Sequence, residues 1–174
     1  MKEEIINRVK KSSLHIINLE DYYPEGKRAT LDIKNWLFED FVLKEQDFRQ
    51  RAKTYNWEQY QDCYVALTCS TEAIIPAWAY MLLCTYLEPF TIKTVVGDLV
   101  VLETAIYQDI IRNLDCSVYH DKPIIIKGCT QKPIPPNAFI QLTTKLKPIA
   151  KSIMYGEACS AVPLFKKTNN LNIK

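Results

Sequence analysis

Three of the six cysteines are the residues of this chain best suited to chemistry. Cys69, Cys129 and Cys159 lie in the similar contexts T-C-S-T, G-C-T and A-C-S. Each thiol has small or hydroxylated neighbours, which is typical of ligands carried on loops. Three thiolates with one open or exchangeable position suit a zinc ion or a site-differentiated iron–sulfur cluster. We therefore predict a metal site formed by Cys69, Cys129 and Cys159.

The pattern leaves alternatives open, because the chain contains no C-x-x-C pair. A fourth ligand could be Glu157, Glu72 or water. The three cysteines could also be small buried residues at strand ends, since free cysteine is among the most buried residue types. Cys84, inside an apolar segment, is predicted to be a packing residue.

Cys69 could instead act alone, as the nucleophile of a thiol enzyme or as a sulfur acceptor. It precedes a predicted helix, whose amide dipoles favour a thiolate. If Pro76 is the first helical residue, however, a whole loop separates Cys69 from that dipole. A rival cluster of Cys63, Cys116 and His120 would lie at the opposite edge of the predicted sheet. There His120 is out of reach of Cys69, and we interpret it as solvated surface.

Predicted strands alternate with predicted helices from residue 44 onward, which favours βαβ units and a mainly parallel sheet. The strands are 63–68, 93–96 and 123–127, and the helices are 45–55, one after Pro76, one after Asp98 and 137–146. The fold class is therefore α/β, a three-layer domain with a mainly parallel sheet and an N-terminal helix/extended addition. Because parallel strands end at one edge, Cys69 and Cys129 are expected there together. Cys159 joins them on its local sequence alone.

The two ends of the chain are harder to interpret. We predict a helix over residues 3–11 and extended segments over 14–19 and 29–33, which could pair as a hairpin around a turn at 24–27. Pro148 breaks or restarts the last helix, and Gly156 is interpreted as its C-terminal stop. We expect one domain over residues 1–165, a flexible tail over 166–174, and no internal repeat.

Composition excludes several function classes. The chain has 174 residues, of which 48% are hydrophobic. Its net charge of only +2 gives no electrostatic reason to expect nucleic acid or an anionic membrane as a partner. Four glycines cannot form a phosphate-binding loop. The first residues show no basic start followed by an apolar stretch, so we expect no secretory signal. The longest apolar stretch, 73–87, is too short to span a bilayer. We expect a cytoplasmic protein with reduced cysteines.

Several segments resemble a known bacterial family, domain of unknown function 2480. They are D-Y-Y-P-E-G-K-R at 21–28, V-A-L-T-C-S-T at 65–71, I-P-A-W-A-Y at 75–80, I-K-G-C at 126–129 and S-I-M-Y-G-E-A-C-S at 152–160. The resemblance implies an association with iron–sulfur cluster assembly of the sulfur-mobilisation type. These segments contain Cys69, Cys129 and Cys159 and omit the rival cluster.

The leading hypothesis is therefore an accessory or carrier protein in cluster biogenesis, with a zinc ion or iron–sulfur cluster as cofactor and iron–sulfur assembly proteins as partners. A thiol enzyme or sulfur acceptor using Cys69 is the second hypothesis. A non-catalytic interaction module, such as a homodimer whose cysteines only pack, is the third.

Overall fold

This computed structural model describes residues 14–128 and 131–168 of the chain. They contain seven strands and four α-helices. The strands are β1 (His15–Asn18), β2 (Lys27–Asp32), β3 (Cys63–Thr68), β4 (Thr91–Val96), β5 (Pro123–Lys127), β6 (Ser152–Tyr155) and β7 (Val162–Lys166). The helices are α1 (Glu45–Thr54), α2 (Ala77–Leu87), α3 (Leu99–Asn113) and α4 (Pro136–Leu146). None of these helices is long and apolar enough to cross a membrane.

The chain divides into two compact units. The continuous unit comprises residues Pro24–Ile106, and the discontinuous unit comprises Met1–Tyr23 together with Tyr107–Lys174. The whole continuous unit is thus inserted between the first strand and the remaining strands of the other. Helix α3 runs through the boundary at Ile106.

The continuous unit is built on a parallel sheet with the strand order β2-β3-β4. The middle strand β3 is buried from Cys63 to Leu67, as expected for an uninterrupted apolar run in a parallel sheet. Its core joins Val65 and Leu67 to apolar residues of α1 and α2.

The discontinuous unit contains a sheet with the order β1-β5-β6-β7. Strands β1, β5 and β6 are parallel, whereas β7 pairs antiparallel with β6 and ends the sheet. Ile124 and Ile126 of the middle strand β5 pack against α4 and the last turns of α3 in one apolar core.

The two units repeat one plan at a constant spacing of 59 residues, the distance along the chain from Gly97 to Gly156. Helices α2 and α4 each have 11 residues and each follow a proline in extended conformation. Their buried residues correspond pair by pair. The pairs are Ala79 and Ala138, Leu83 and Leu142, and Leu87 and Leu146. Identical residues at the same spacing outside the helices include Tyr60 and Tyr119, Asp62 and Asp121, Pro76 and Pro135, and Pro89 and Pro148.

The same backbone hydrogen bonds recur in both units. One ties the residue ahead of the middle strand to the segment that follows the next helix. Another ties the glycine after the last parallel strand to the middle strand. These bonds are Asp62 N to Phe90 O and Asp121 N to Ile149 O, both 2.8 Å, then Gly97 N to Leu67 O at 2.8 Å and Gly156 N to Ile126 O at 3.1 Å. Asp62 and Asp121 share a positive φ, 56° and 52°. We conclude that the units are two copies of one fold.

The predicted α/β class with mainly parallel strands is confirmed. Strands β3 and β5, however, lie in different sheets, so the argument that Cys69 and Cys129 end strands of one sheet was wrong. The proposed hairpin was also wrong, because β1 pairs with β5 and β2 pairs with β3. The expected absence of an internal repeat was wrong as well. Residues 1–13 and 169–174, with the predicted N-terminal helix and most of the predicted tail, lie outside the described residues.

The chain after α4 also differs from the prediction. Residues 152–155 form strand β6 instead of a restarted helix, and Gly156 ends that strand. Helix α4 begins at Pro136, one residue before the predicted start at 137, and Pro135 is its N-cap. Proline suits the first helical position because its missing N–H would have no partner there.

Candidate cysteine site

The carboxyl edge of the sheet in the discontinuous unit forms a small polar cleft. Three parallel strands end there, at Asn18, Lys127 and Tyr155. A cavity of about 190 Å³ opens between their ends. Its lining consists of Asn18, Glu20, Lys127, Gly128, Tyr155, Gly156 and Glu157. In a parallel α/β sheet this edge is the usual position of a ligand.

Charged groups line the cleft and are partly paired. Lys127 Nζ lies 3.4 Å from Glu157 Oε1. Glu20 Oε1 accepts a hydrogen bond of 2.8 Å from the backbone N–H of Gln131. That bond holds the segment after β5 against the 3-10 turn after β1, so the cleft has a defined wall.

Gly128 is required where β5 leaves the sheet. Its φ of +145° is rarely adopted by other residues, and a Cβ there would lie 3.2 Å from Cβ of Leu19. Gly156 ends β6 with a φ of +113°. Both strands therefore leave the sheet through glycine, and the predicted ligands Cys129 and Cys159 follow these two glycines in the sequence.

Cys159 lies in the loop that joins β6 to β7, and its side chain is exposed. Its Sγ is 4.0 Å from Ser160 Oγ. Cys129 follows Gly128 directly and lies outside the described residues. Because β5 and β6 are adjacent and parallel, the segments that lead to these two cysteines start from neighbouring positions on one edge.

Cys69 follows β3 at the carboxyl edge of the other sheet, in the continuous unit. It is half-buried, and its Sγ lies 3.4 Å from Thr71 Oγ1. Burial, and secondly the nearby Cys69 thiol, raise the pKa of Tyr80. Residues 70–76 separate Cys69 from the start of α2 at Ala77, so Cys69 is not in the first turn of that helix.

The spacing of the duplication places Cys69 and Cys129 in equivalent loops of different units. At 59 residues Cys69 corresponds to Gly128 and Ser70 to Cys129. The two cysteines are therefore offset by one residue and do not occupy equivalent positions in the two units.

Asp32 organises the edge around Cys69. Its Oδ1 accepts hydrogen bonds from Lys34 N at 2.9 Å and Ser70 N at 3.1 Å. Burial by itself would raise the pKa of Asp32, but the hydrogen bonds from Ser70 and Lys34 outweigh it and lower that pKa. The equivalent residue in the other unit is Asn18, which caps its own 3-10 turn through Glu20 N.

The rival cluster does not form one core. Cys63 and Cys116 are buried in the separate apolar cores of the two units. His120 is 68% exposed and lies beside Asp121, so its interpretation as solvated surface is confirmed. Cys84 was wrongly predicted to pack. It is exposed, because α2 buries only the face that carries Ala79, Leu83 and Leu87.

Among residues 14–128 and 131–168, no group of three or more His, Cys, Asp or Glu side chains could hold a metal ion. Cys129 is not among those residues, so the set of Cys69, Cys129 and Cys159 stays a prediction.

A family model described as "Protein of unknown function (DUF2480)" matches residues 3–167. The chain belongs to the DUF2480 family. No curated protein and no solved structure matches it. Membership in DUF2480 confirms the resemblance and assigns no activity to any residue of the cleft.

The sequence did not predict that four polar residues line one cleft in this DUF2480 protein. They are Asn18, Glu20, Lys127 and Glu157. Only Glu157 was considered, as a fourth ligand. The missing information was strand β6, which brings residues 156–160 to the edge. The repeat would have revealed it, because Pro148 and Gly156 match Pro89 and Gly97 on either side of β4.

Proposed function

We propose that this DUF2480 protein binds a zinc ion or an iron–sulfur cluster through thiols at the carboxyl edge of the discontinuous unit, and that it serves as an accessory factor in cluster biogenesis. One observation carries the proposal. β6 is the parallel neighbour of β5, so the sequence that leads to Cys159 leaves the same edge as the sequence that leads to Cys129. Thiolates are suitable ligands for either group.

Further ligands are available in the cleft or from outside it. Glu157 lines the cavity, and a carboxylate or water can complete a site with open coordination. Cys69 is the third predicted thiol and belongs to the continuous unit. Its participation is a separate question, which its own variant answers.

The test is to purify the untagged protein anaerobically and to measure bound metal, acid-labile sulfide and the visible absorption spectrum. Cys129→Ser and Cys159→Ser are each expected to lose most of the bound metal. Cys84→Ser is the matched control, because Cys84 is also exposed but lies on helix α2. Equal metal content in all four proteins, or no metal after reconstitution, would contradict the proposal.

Cys69→Ser then decides between three thiols and two. Loss of metal comparable to that in Cys159→Ser supports the original set of three. Full retention confines the site to the discontinuous unit. Alkylation rates of the metal-free wild type test the second hypothesis, a thiol enzyme or sulfur acceptor that uses Cys69. That hypothesis requires Cys69 to be alkylated faster than the exposed Cys84.

A further inference from the structure

The two copies of the fold differ at one edge of their sheets. In the discontinuous unit, β6 has the antiparallel strand β7 on its outer side. Its counterpart β4 is the last strand of the sheet in the continuous unit, among the residues that the structure describes. A strand at a sheet edge presents unpaired backbone N–H and C=O groups, which makes it a template for another strand.

β7 covers apolar residues of its neighbour. Phe165 lies opposite Ile153, which is fully buried, and packs against the core of its unit. Thr94, the counterpart of Ile153, remains partly exposed. On either side of Thr94, Ile92 and Val96 are each 52% exposed.

The helices beside these edges carry equivalent exposed residues. In the discontinuous unit, Ile140 of α4 and Leu164 of β7 line a groove of about 550 Å³. Met81 is the counterpart of Ile140 and is equally exposed, 68% against 65%. Met81 and Val96 are the counterparts of Ile140 and Tyr155, which line that groove. Both are exposed in the continuous unit, where β4 is the outermost strand of the sheet among the described residues.

We propose that β4 of a second copy of this chain fills this position, so that two continuous units join through antiparallel β4 strands into one six-stranded sheet. The discontinuous unit supplies the precedent, since an antiparallel strand occupies the equivalent edge there. A dimer of identical strands needs a two-fold axis perpendicular to the sheet.

The sequence of β4 suits this symmetry. Residues directly opposite in an antiparallel pair point to the same face, so the two-fold axis must lie midway between one residue and its own copy in the other strand. Centred on Thr94, the register places Ile92 opposite Val96 twice and Lys93 opposite Val95. The two half-exposed apolar side chains then cover each other, and the single charge of β4 avoids its own copy.

Sedimentation equilibrium over a concentration series tests the proposal on the full chain. The wild type is expected to be a reversible dimer. Ile92→Lys/Val96→Lys places lysine opposite lysine and is expected to weaken the dimer at least tenfold. Ile92→Lys/Val96→Glu places opposite charges in the same register and is expected to restore most of the affinity. Ile140→Lys, at an equally exposed apolar residue of the other unit, is the control and should leave the dimer intact.

Each variant is expected to fold, because the substituted residues are at least half-exposed. Circular dichroism of each variant checks this. A wild type that is monomeric at every concentration would overturn the proposal. So would a dimer that the lysine pair does not weaken, or one that the charge swap weakens as much as the lysine pair does. The proposal is independent of metal binding, since no cysteine lies on β4.

Discussion

Asp32 stabilises the sheet edge around Cys69 by accepting hydrogen bonds from Lys34 N and Ser70 N. Its lowered folded-state pKa means that its contribution to stability is fully present above the unfolded value, about 3.9, and is lost as the pH falls through the folded pKa. We predict that Asp32→Asn keeps the cap, as Asn18 does, and reduces the loss of stability in acid. Urea unfolding of both proteins between about pH 2 and 6 measures the difference.

Removing the side chain gives the control. Asp32→Ala abolishes both hydrogen bonds and is expected to cost about 1–2 kcal/mol at neutral pH. If Asp32→Asn showed the same acid dependence as the wild type, another carboxylate would dominate that titration.

Residue chemistry was partly accessible from sequence. The contexts of the cysteines directed attention to the segments after β3, β5 and β6, and the role of those cysteines stays a prediction. Cys63 and Cys116 are buried in the apolar cores. The exposure of Cys84 could not be inferred, because an apolar helix does not by itself show which face meets the core. The polar cleft could not be predicted without the strand order. Asn18 and Glu157 line one cavity only because β1 and β6 both pair with β5.

At the scale of elements, the equivalence of α2 and α4 gives a matched prediction. Leu83 and Leu142 are both fully buried at the same position of their helices. Leu83→Ala and Leu142→Ala are each expected to lower the free energy of unfolding by about 2–5 kcal/mol, because each leaves a cavity. Chemical denaturation of the two variants provides the measurement.

The exposed neighbours complete that test. Met81→Ala and Ile140→Ala lie two residues before the buried leucines and are expected to change stability by no more than about 0.5 kcal/mol. A large effect at Met81 with none at Leu83 would mean that α2 buries a different face.

Most elements could be predicted because their patterns are local. The strand over 123–127 was predicted to the residue, and Asp98 caps α3 as expected, with Oδ1 2.9 Å from Val101 N. β6 was missed because four residues between Pro148 and Gly156 carry too little periodicity to distinguish a strand from a helix. Its conformation as a strand is determined by its pairing with β5 and β7.

At the scale of the molecule, the number of sheets could not be predicted. Alternating strands and helices describe one doubly wound sheet equally well, and the pairing of β1 with β5 skips the entire continuous unit. The contacts that form the discontinuous unit join residues far apart in the chain. A local sequence pattern carries no signal for such contacts.

This arrangement predicts an order of refolding. The continuous unit closes its sheet within residues 27–96, whereas β1 must find β5 across the whole inserted unit. In pulsed hydrogen exchange, amides of β3 are expected to gain protection before those of β5. Protection that rose simultaneously at Val65 and Ile124 would show that the units fold as one.

The inserted unit also has a consequence during protein synthesis. Strand β1 is synthesised before its partner β5, which follows about 100 residues later. At about 5–20 residues per second the delay is about 5–20 s. For that time the apolar residues Ile16 and Ile17 lack the strand with which they pair in the finished sheet. Such a segment is a natural target for a chaperone at the ribosome.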